Sequence, residues 1–256
     1  MKAMGDFVAG VALTLLAYMA ISHLWHRVPP TAAPIPSPAL ALRYGKVHAS
    51  IYKITNAAQS RGGTGFKVLA PNGTPLIVTN SHVCAGAGDA GGGVAVRHEL
   101  AGDVSLGYIK ATDPAHDLCL ISMIIDDGHP ALPLAAVPSS RGAYIWTQGH
   151  GGLASQAPRE GIDRGSIIIK MVSDNLACDR PHEERQQAVN FFGGTLSRCV
   201  AKFDTIDMSM DVIGGCSGSP LFNDRNEVVG VVFAGRNDGA GSNAIPVQYL
   251  INLLAK

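Results

Sequence analysis

Three short stretches of this 256-residue chain carry side chains suited to nucleophilic chemistry. Ile77–Cys84 (IVTNSHVC) runs a β-branched strand into a small polar turn that presents His82, and His116–Met123 (HDLCLISM) sets Asp117 at the head of an apolar strand. Gly214–Phe222 (GGCSGSPLF) puts Ser217 in a glycine-rich bend just ahead of another strand. Each alone is ordinary, because a histidine or aspartate at a strand end is usually a hydrogen-bonded turn residue. Together they meet a demanding requirement. A serine hydroxyl is a poor nucleophile near neutral pH, so it needs a neutral imidazole to take its proton and a buried carboxylate to fix that ring's tautomer. The attacked carbonyl needs amide N–H donors aimed at the oxygen where negative charge develops. Glycines ahead of the serine let the backbone form such a concavity, which makes Gly215 and Ser217 the natural donors.

The elements that must position these residues read as short strands. From about Tyr44 onward, eleven apolar or alternating runs, from Val47–Ile54 through Met208–Val212 to Ala244–Pro246, are separated by Gly, Pro, Asn and Asp. Clear turn chemistry stands at Pro71-Asn72-Gly73 and Asn223-Asp224-Arg225-Asn226, and only Val247–Leu254 reads as helix. Without amphipathic helices between the strands, the pattern predicts an all-β barrel or sandwich rather than βαβ units. Thirty glycines fit such a turn-rich chain.

Composition excludes other classes. Twenty Lys+Arg balance twenty Asp+Glu, so no basic field points to nucleic acid. With 46% hydrophobic residues, the chain has ample material for a packed core. The five cysteines (Cys84, Cys119, Cys178, Cys199 and Cys216) include no C-x-x-C pair, which argues against structural zinc, and their odd number leaves at least one thiol unpaired within the chain. No metal or organic cofactor is implied. Asp179–Gln187 reads as an exposed, charged loop.

The amino end is a different material. Phe7–Leu24 is eighteen residues without a formal charge, and as a helix it would be about 27 Å long, close to the hydrocarbon core of a bilayer. Residues 1–27 therefore read as a membrane anchor, with a cleaved signal segment as the alternative. Residues 28–43, including PPTAAPIPSPAL, read as an extended proline-rich spacer, within which Ala39-Leu40-Ala41 would suit a signal peptidase. The few basic residues on either side leave the orientation open.

The order His82, Asp117, Ser217 and the residues around them resemble the chymotrypsin/trypsin clan of serine proteases. TNSHVC is similar to that family's Thr-Ala-Ala-His-Cys block, HDLCLI to Asp-Leu-Ala-Leu, and GGCSGSPLF to Gly-Asp-Ser-Gly-Gly-Pro-Leu. The strand Val228–Gly235 looks like the one along which substrate backbone pairs. Within the clan, Asn226-Glu227-Val228-Val229-Gly230 and Ala244-Ile245-Pro246 resemble bacterial HtrA-type peptidases. The resemblance implies two six-stranded β-barrels, at about 45–135 and 140–250 of a domain spanning 44–256, with a short C-terminal helix and the triad between them. It implies a serine endopeptidase acting on proteins or peptides, with His82, Asp117 and Ser217 as catalytic residues and Gly215 and Ser217 as oxyanion donors. Ten residues follow Pro246, so no PDZ domain is expected.

Departures from the family pattern matter as well. Cys216 stands where trypsin has an acidic residue, so activation by burying a new amino terminus is not expected. Related viral proteases use cysteine as nucleophile, yet the family's Gly and Pro beyond the nucleophile are met by Gly218 and Pro220 only if Ser217 is that nucleophile. Ser219 replaces a family glycine. Cys84 matches a family disulfide position whose usual partner precedes it, and here no earlier cysteine exists; Cys178 and Cys199 are an alternative pair. Asp211, six residues before Ser217, would form the base of a pocket for Arg or Lys if the trypsin register holds, and would be a turn residue in an HtrA register. Gly235 would contact substrate backbone beside that pocket. A protease-fold binding module with a disabled site is the non-enzymatic alternative. The domain is expected on the far side of the cytoplasmic membrane, tethered or secreted.

Overall fold

A computed structural model describes residues 38–56, 62–85, 91–98, 104–151, 154–155, 157–173, 199–235 and 241–256. They lie within one unit, Pro36–Lys256. The described residues open with a helix, α1 (Pro38–Val47), followed by a single 3-10 turn at His48–Ser50. Residues 38–43, expected in the extended spacer, are thus helical. A proline's fixed φ suits the first helical turn, where its missing N–H has no partner to lose, and burial of Leu40 and Val47 docks the helix on the domain.

The first barrel follows as β1 (Ile51–Asn56), β2 (Gly62–Leu69), β3 (Pro75–Thr79), a one-turn helix α2 (Ser81–Cys84), β4 (Gly93–His98), β5 (Val104–Asp113) and β6 (Leu118–Met123). Its six strands close in the order β1-β2-β3-β6-β5-β4, all antiparallel. The second barrel comprises β7 (Tyr144–Thr147), β10 (Arg159–Ser173), β11 (Cys199–Met208), β12 (Pro220–Phe222), β13 (Val228–Gly235) and β14 (Ser242–Pro246); β8 (His150–Gly151) and β9 (Ala154–Ser155) form a small separate hairpin. Closure in the order β10-β11-β14-β13-β12-β7 leaves neither barrel a free edge. The C-terminal helix α3 (Val247–Leu254) buries Val247, Leu250 and Leu253, one side of the helix.

Burial explains which strands alternate. β5 alternates between exposed and buried positions over much of its length, because one face meets the barrel interior and the other water. β2 is buried at every position from Gly63 to Val68. Gly65 on its inner face lies against Ile54 and Ile77 of the first barrel's core, and Phe66 and Val68 on the other face join Trp146, Phe222, Val231 and Ile245 of the second barrel in one apolar cluster. Burying each such side chain stabilises the fold by roughly 1.5–3 kcal/mol. The strand that also carries Thr64 is therefore clamped between the two barrels.

Two barrel strands, and the two-residue strands β8 and β9, escape the sequence reading. The expected strand Met208–Val212 begins where β11 ends, and β12 starts on a proline, tolerated at a strand's first residue. Among the described residues no helix is long and apolar enough to cross a membrane. Phe7–Leu24, Cys178 and Asp179–Gln187 lie outside them.

Candidate active site

His82 sits in α2, immediately after β3, and Asp117 precedes β6, the neighbour of β3. Strand pairing thus brings the two together across 35 residues of chain. Asp117 has φ 53°, a left-handed conformation that aspartate tolerates better than most residues. Its carbonyl accepts hydrogen bonds from Ser81 N and Asn80 Nδ2, each at 3.0 Å. Its carboxylate accepts from His82 N at 2.9 Å through Oδ1 and lies 2.7 Å from His82 Nδ1 through Oδ2. A carboxylate facing Nδ1 requires the proton there, leaving Nε2 as an acceptor. The Asp117 side chain is 2% exposed and the imidazole 34%, so a buried anion orients a ring that remains accessible.

A disulfide joins Cys84 to Cys119, each two residues beyond its partner in this pair. The family position that Cys84 matches pairs with an earlier cysteine, which this chain lacks; here the mate lies downstream on β6. The bond staples the helix that carries the imidazole to the strand that follows the carboxylate. Replacing both cysteines by serine should lower stability by about 4 kcal/mol, the loop-entropy value for a separation of this size. Urea unfolding checks this: the midpoint should fall and the slope rise, because the chain without the cross-link exposes more surface when unfolded, and an unmoved stability in water would show that the bond contributes nothing.

Ser217 is the second residue of the latter of two consecutive tight turns. Cys216 N donates to Ile213 O at 3.1 Å and Ser219 N to Cys216 O at 3.0 Å. Each turn has its third residue at positive φ, Gly215 at 96° and Gly218 at 85°, as type II geometry demands. A Cβ at Gly218 would lie 2.0 Å from Thr64 O and 2.3 Å from Thr79 Oγ1, so the bend sits tightly against the first barrel. Gly63 closes the gap from the other side: a Cβ there would lie 2.6 Å from the Val83 side chain and 2.7 Å from Ser217 O. The serine backbone and the residue next to His82 thus converge on one glycine. The Ser217 hydroxyl, partly exposed, donates to Phe233 O at 3.3 Å.

Cys216 points inward, 3% exposed, and burial pushes its thiol up from the ordinary cysteine value. A thiol that resists ionisation is a poor nucleophile. Asp211 is exposed, and its carbonyl accepts from Arg159 Nη1 at 3.1 Å. Val212 N donates to Ser242 Oγ at 2.8 Å, and Ser242 pairs with Gly235 across β13 and β14, so Asp211 and Gly235 fall at the same end of that sheet. Thr64, which no sequence motif singled out, makes several contacts to the serine bend. Its only signal was the Gly-Gly-Thr-Gly run at 62–65. Among the described residues, no group of three or more His, Cys, Asp or Glu is placed to hold a metal.

A trypsin-like peptidase domain model matches residues 63–231. No curated protein sequence matches the chain significantly. Among solved structures, the active form of the Rv3671c protease from M. tuberculosis superposes with TM-score 0.66 at 23% identity, over 89% of this chain and 92% of that one. The inactive form of the same protease gives 0.63 at 24%, over 89% and 98%. The serine endoprotease from Yersinia pestis gives 0.59 at 17%, over 86% and 68%. At these identities the likeness to solved structures establishes the fold.

Proposed function

From the premise that this chain belongs to the trypsin-like peptidase family and is a serine peptidase, we propose that it is an endopeptidase working through an acyl-enzyme on Ser217. The observation that carries the reading is the contact of 2.7 Å between His82 Nδ1 and the buried Asp117 carboxylate. That contact holds the imidazole in the tautomer able to accept a proton at Nε2. The mechanism requires the Ser217 hydroxyl to leave Phe233 O and donate to the ring. Its oxygen then attacks the substrate carbonyl while His82 takes the proton; the tetrahedral oxyanion is met by the N–H groups of Gly215 and Ser217. His82 next protonates the leaving amine, and a water activated by the same imidazole releases the acid and restores the serine.

A fluorophosphonate probe tests this directly. Labelling should vanish in Ser217→Ala and persist in Cys216→Ala. The reverse result would establish the cysteine as nucleophile, and an unlabelled wild type would leave a binding module as the better account.

For specificity we infer a pocket near Asp211 that favours Arg or Lys before the cut bond, supported by the grouping of Asp211 with Gly235. A peptide-library profile should show that preference and lose it in Asp211→Asn; a basic preference that survives the substitution rejects the assignment. For location we propose an extracytoplasmic domain tethered through Phe7–Leu24. The Cys84–Cys119 bond supports an oxidising compartment. Recovery of the full-mass chain in the soluble fraction without detergent would defeat the tether.

A further inference from the structure

A single threonine of the first barrel engages two peptide groups of the second barrel's serine bend. Thr64, on β2, has no exposed surface. Its hydroxyl donates to Gly215 O at 2.9 Å and accepts from His150 N at 2.8 Å. Its own N–H donates to Ser217 O at 2.8 Å, and its carbonyl accepts from Thr79 Oγ1 at 2.6 Å. Every polar group of the residue is thus engaged, and Thr79 braces it from the neighbouring strand.

The consequence lies in how the bend's peptide groups alternate. The Gly215–Cys216 peptide is held at both ends, its oxygen by the Thr64 hydroxyl and its N–H by Ile213 O. The Ser217–Gly218 peptide is held likewise, its oxygen by Thr64 N and its N–H by Val232 O at 2.7 Å. The peptides preceding these two contribute the N–H groups of Gly215 and Ser217, the donors assigned to the oxyanion. Fixing a peptide plane at both ends limits the torsions open to the N–H before it. The need is greatest at Gly214-Gly215, because consecutive glycines have the widest backbone freedom and permit rotation of the peptide between them at little cost.

We propose that the Thr64 hydroxyl is a positioning group for the oxyanion donors: by holding Gly215 O it keeps the Gly215 N–H turned toward the reacting carbonyl. The proposal rests on Ser217 being the acylated residue. It also explains how the bend stays ordered with Cys216 in place of an acidic residue, since the restraint comes across the barrel interface rather than from an ion pair at that position. Thr64 touches no reacting atom, so its removal should impair transition-state stabilisation and leave substrate binding largely intact.

Thr64→Val keeps the shape and removes both hydroxyl hydrogen bonds, whereas Thr64→Ser keeps the hydroxyl. Each variant is compared with wild type on a chromogenic peptide amide. Active sites are counted by end-point fluorophosphonate labelling, so that unfolded material does not enter the rate. Thr64→Val should lose about 10- to 100-fold in kcat per labelled site, short of or at the low end of losing an oxyanion donor outright, with KM within about threefold. Inhibition by a peptide boronate, which mimics the tetrahedral adduct, should weaken by a similar factor, and Thr64→Ser should stay within about threefold of wild type. Should the valine variant be insoluble, Thr64→Ala serves in its place and must show the same split. An unchanged kcat per labelled site, a loss confined to KM, or an equal loss in the serine variant overturns the proposal while the Ser217 reading stands. A wild type that takes no label at Ser217 overturns both.

Discussion

Ser217→Ala is expected to lower kcat by about a millionfold, with the residual rate set by binding and by the oxyanion donors alone. The size follows from the roles assigned in the bend. Without the hydroxyl no acyl-enzyme forms, and neither His82 nor Asp117 then has a proton transfer to assist, so adding His82→Ala to the serine variant should cost almost nothing more. Cys216 offers no replacement, because its thiol is buried and burial disfavours the thiolate. The fold should survive, since the hydroxyl's hydrogen bond is a long one of 3.3 Å to Phe233 O. Steady-state rates on a peptide amide, with matched thermal unfolding of both proteins, test this. A variant retaining more than about one part in a thousand of the activity would mean that another group carries the acyl transfer.

What the sequence makes legible is what its neighbours determine. His82, Asp117 and Ser217 stand in local patterns of strand, turn and glycine, and β3, β6 and β7 follow from their apolar runs without help from the rest of the chain. The features missed depend on distant pairings. Thr64 reaches Gly215 across 151 residues, and nothing in Gly62–Gly65 reveals that a second barrel will press against it. Cys84 finds Cys119 because β3 and β6 are neighbours in the barrel, a fact of topology rather than of spacing. β11 was missed because Lys202, Asp204 and Asp207 interrupt its apolar pattern; pairing with β10 and β14 on both sides overrides weak propensity. At Pro38 the error was one of position. Proline excludes the interior of a helix but not its first turn, and composition alone does not say which is present.

Asp117→Asn should reduce kcat by about ten-thousandfold while leaving KM and the fold nearly unchanged. The native carboxylate offers an acceptor to both of its histidine contacts, His82 N through Oδ1 and His82 Nδ1 through Oδ2. An asparagine has only one acceptor to give. If its oxygen keeps the backbone N–H, its amide group faces Nδ1 and can bond only to an unprotonated nitrogen, which drives the ring's proton to Nε2 and removes the base that Ser217 needs. If the amide is turned the other way, its N–H groups confront the His82 N–H, leaving a donor without an acceptor at a nearly buried position. The first arrangement costs least, and it is the inactive one. The left-handed backbone at residue 117 is as acceptable to asparagine as to aspartate, so strain does not enter the comparison. Fluorophosphonate labelling of Ser217 should slow alongside kcat, since it draws on the same base. A loss smaller than about tenfold, with the folded state verified by its near-ultraviolet spectrum, would mean that Asp117 holds the helix in place but does not set the imidazole's tautomer.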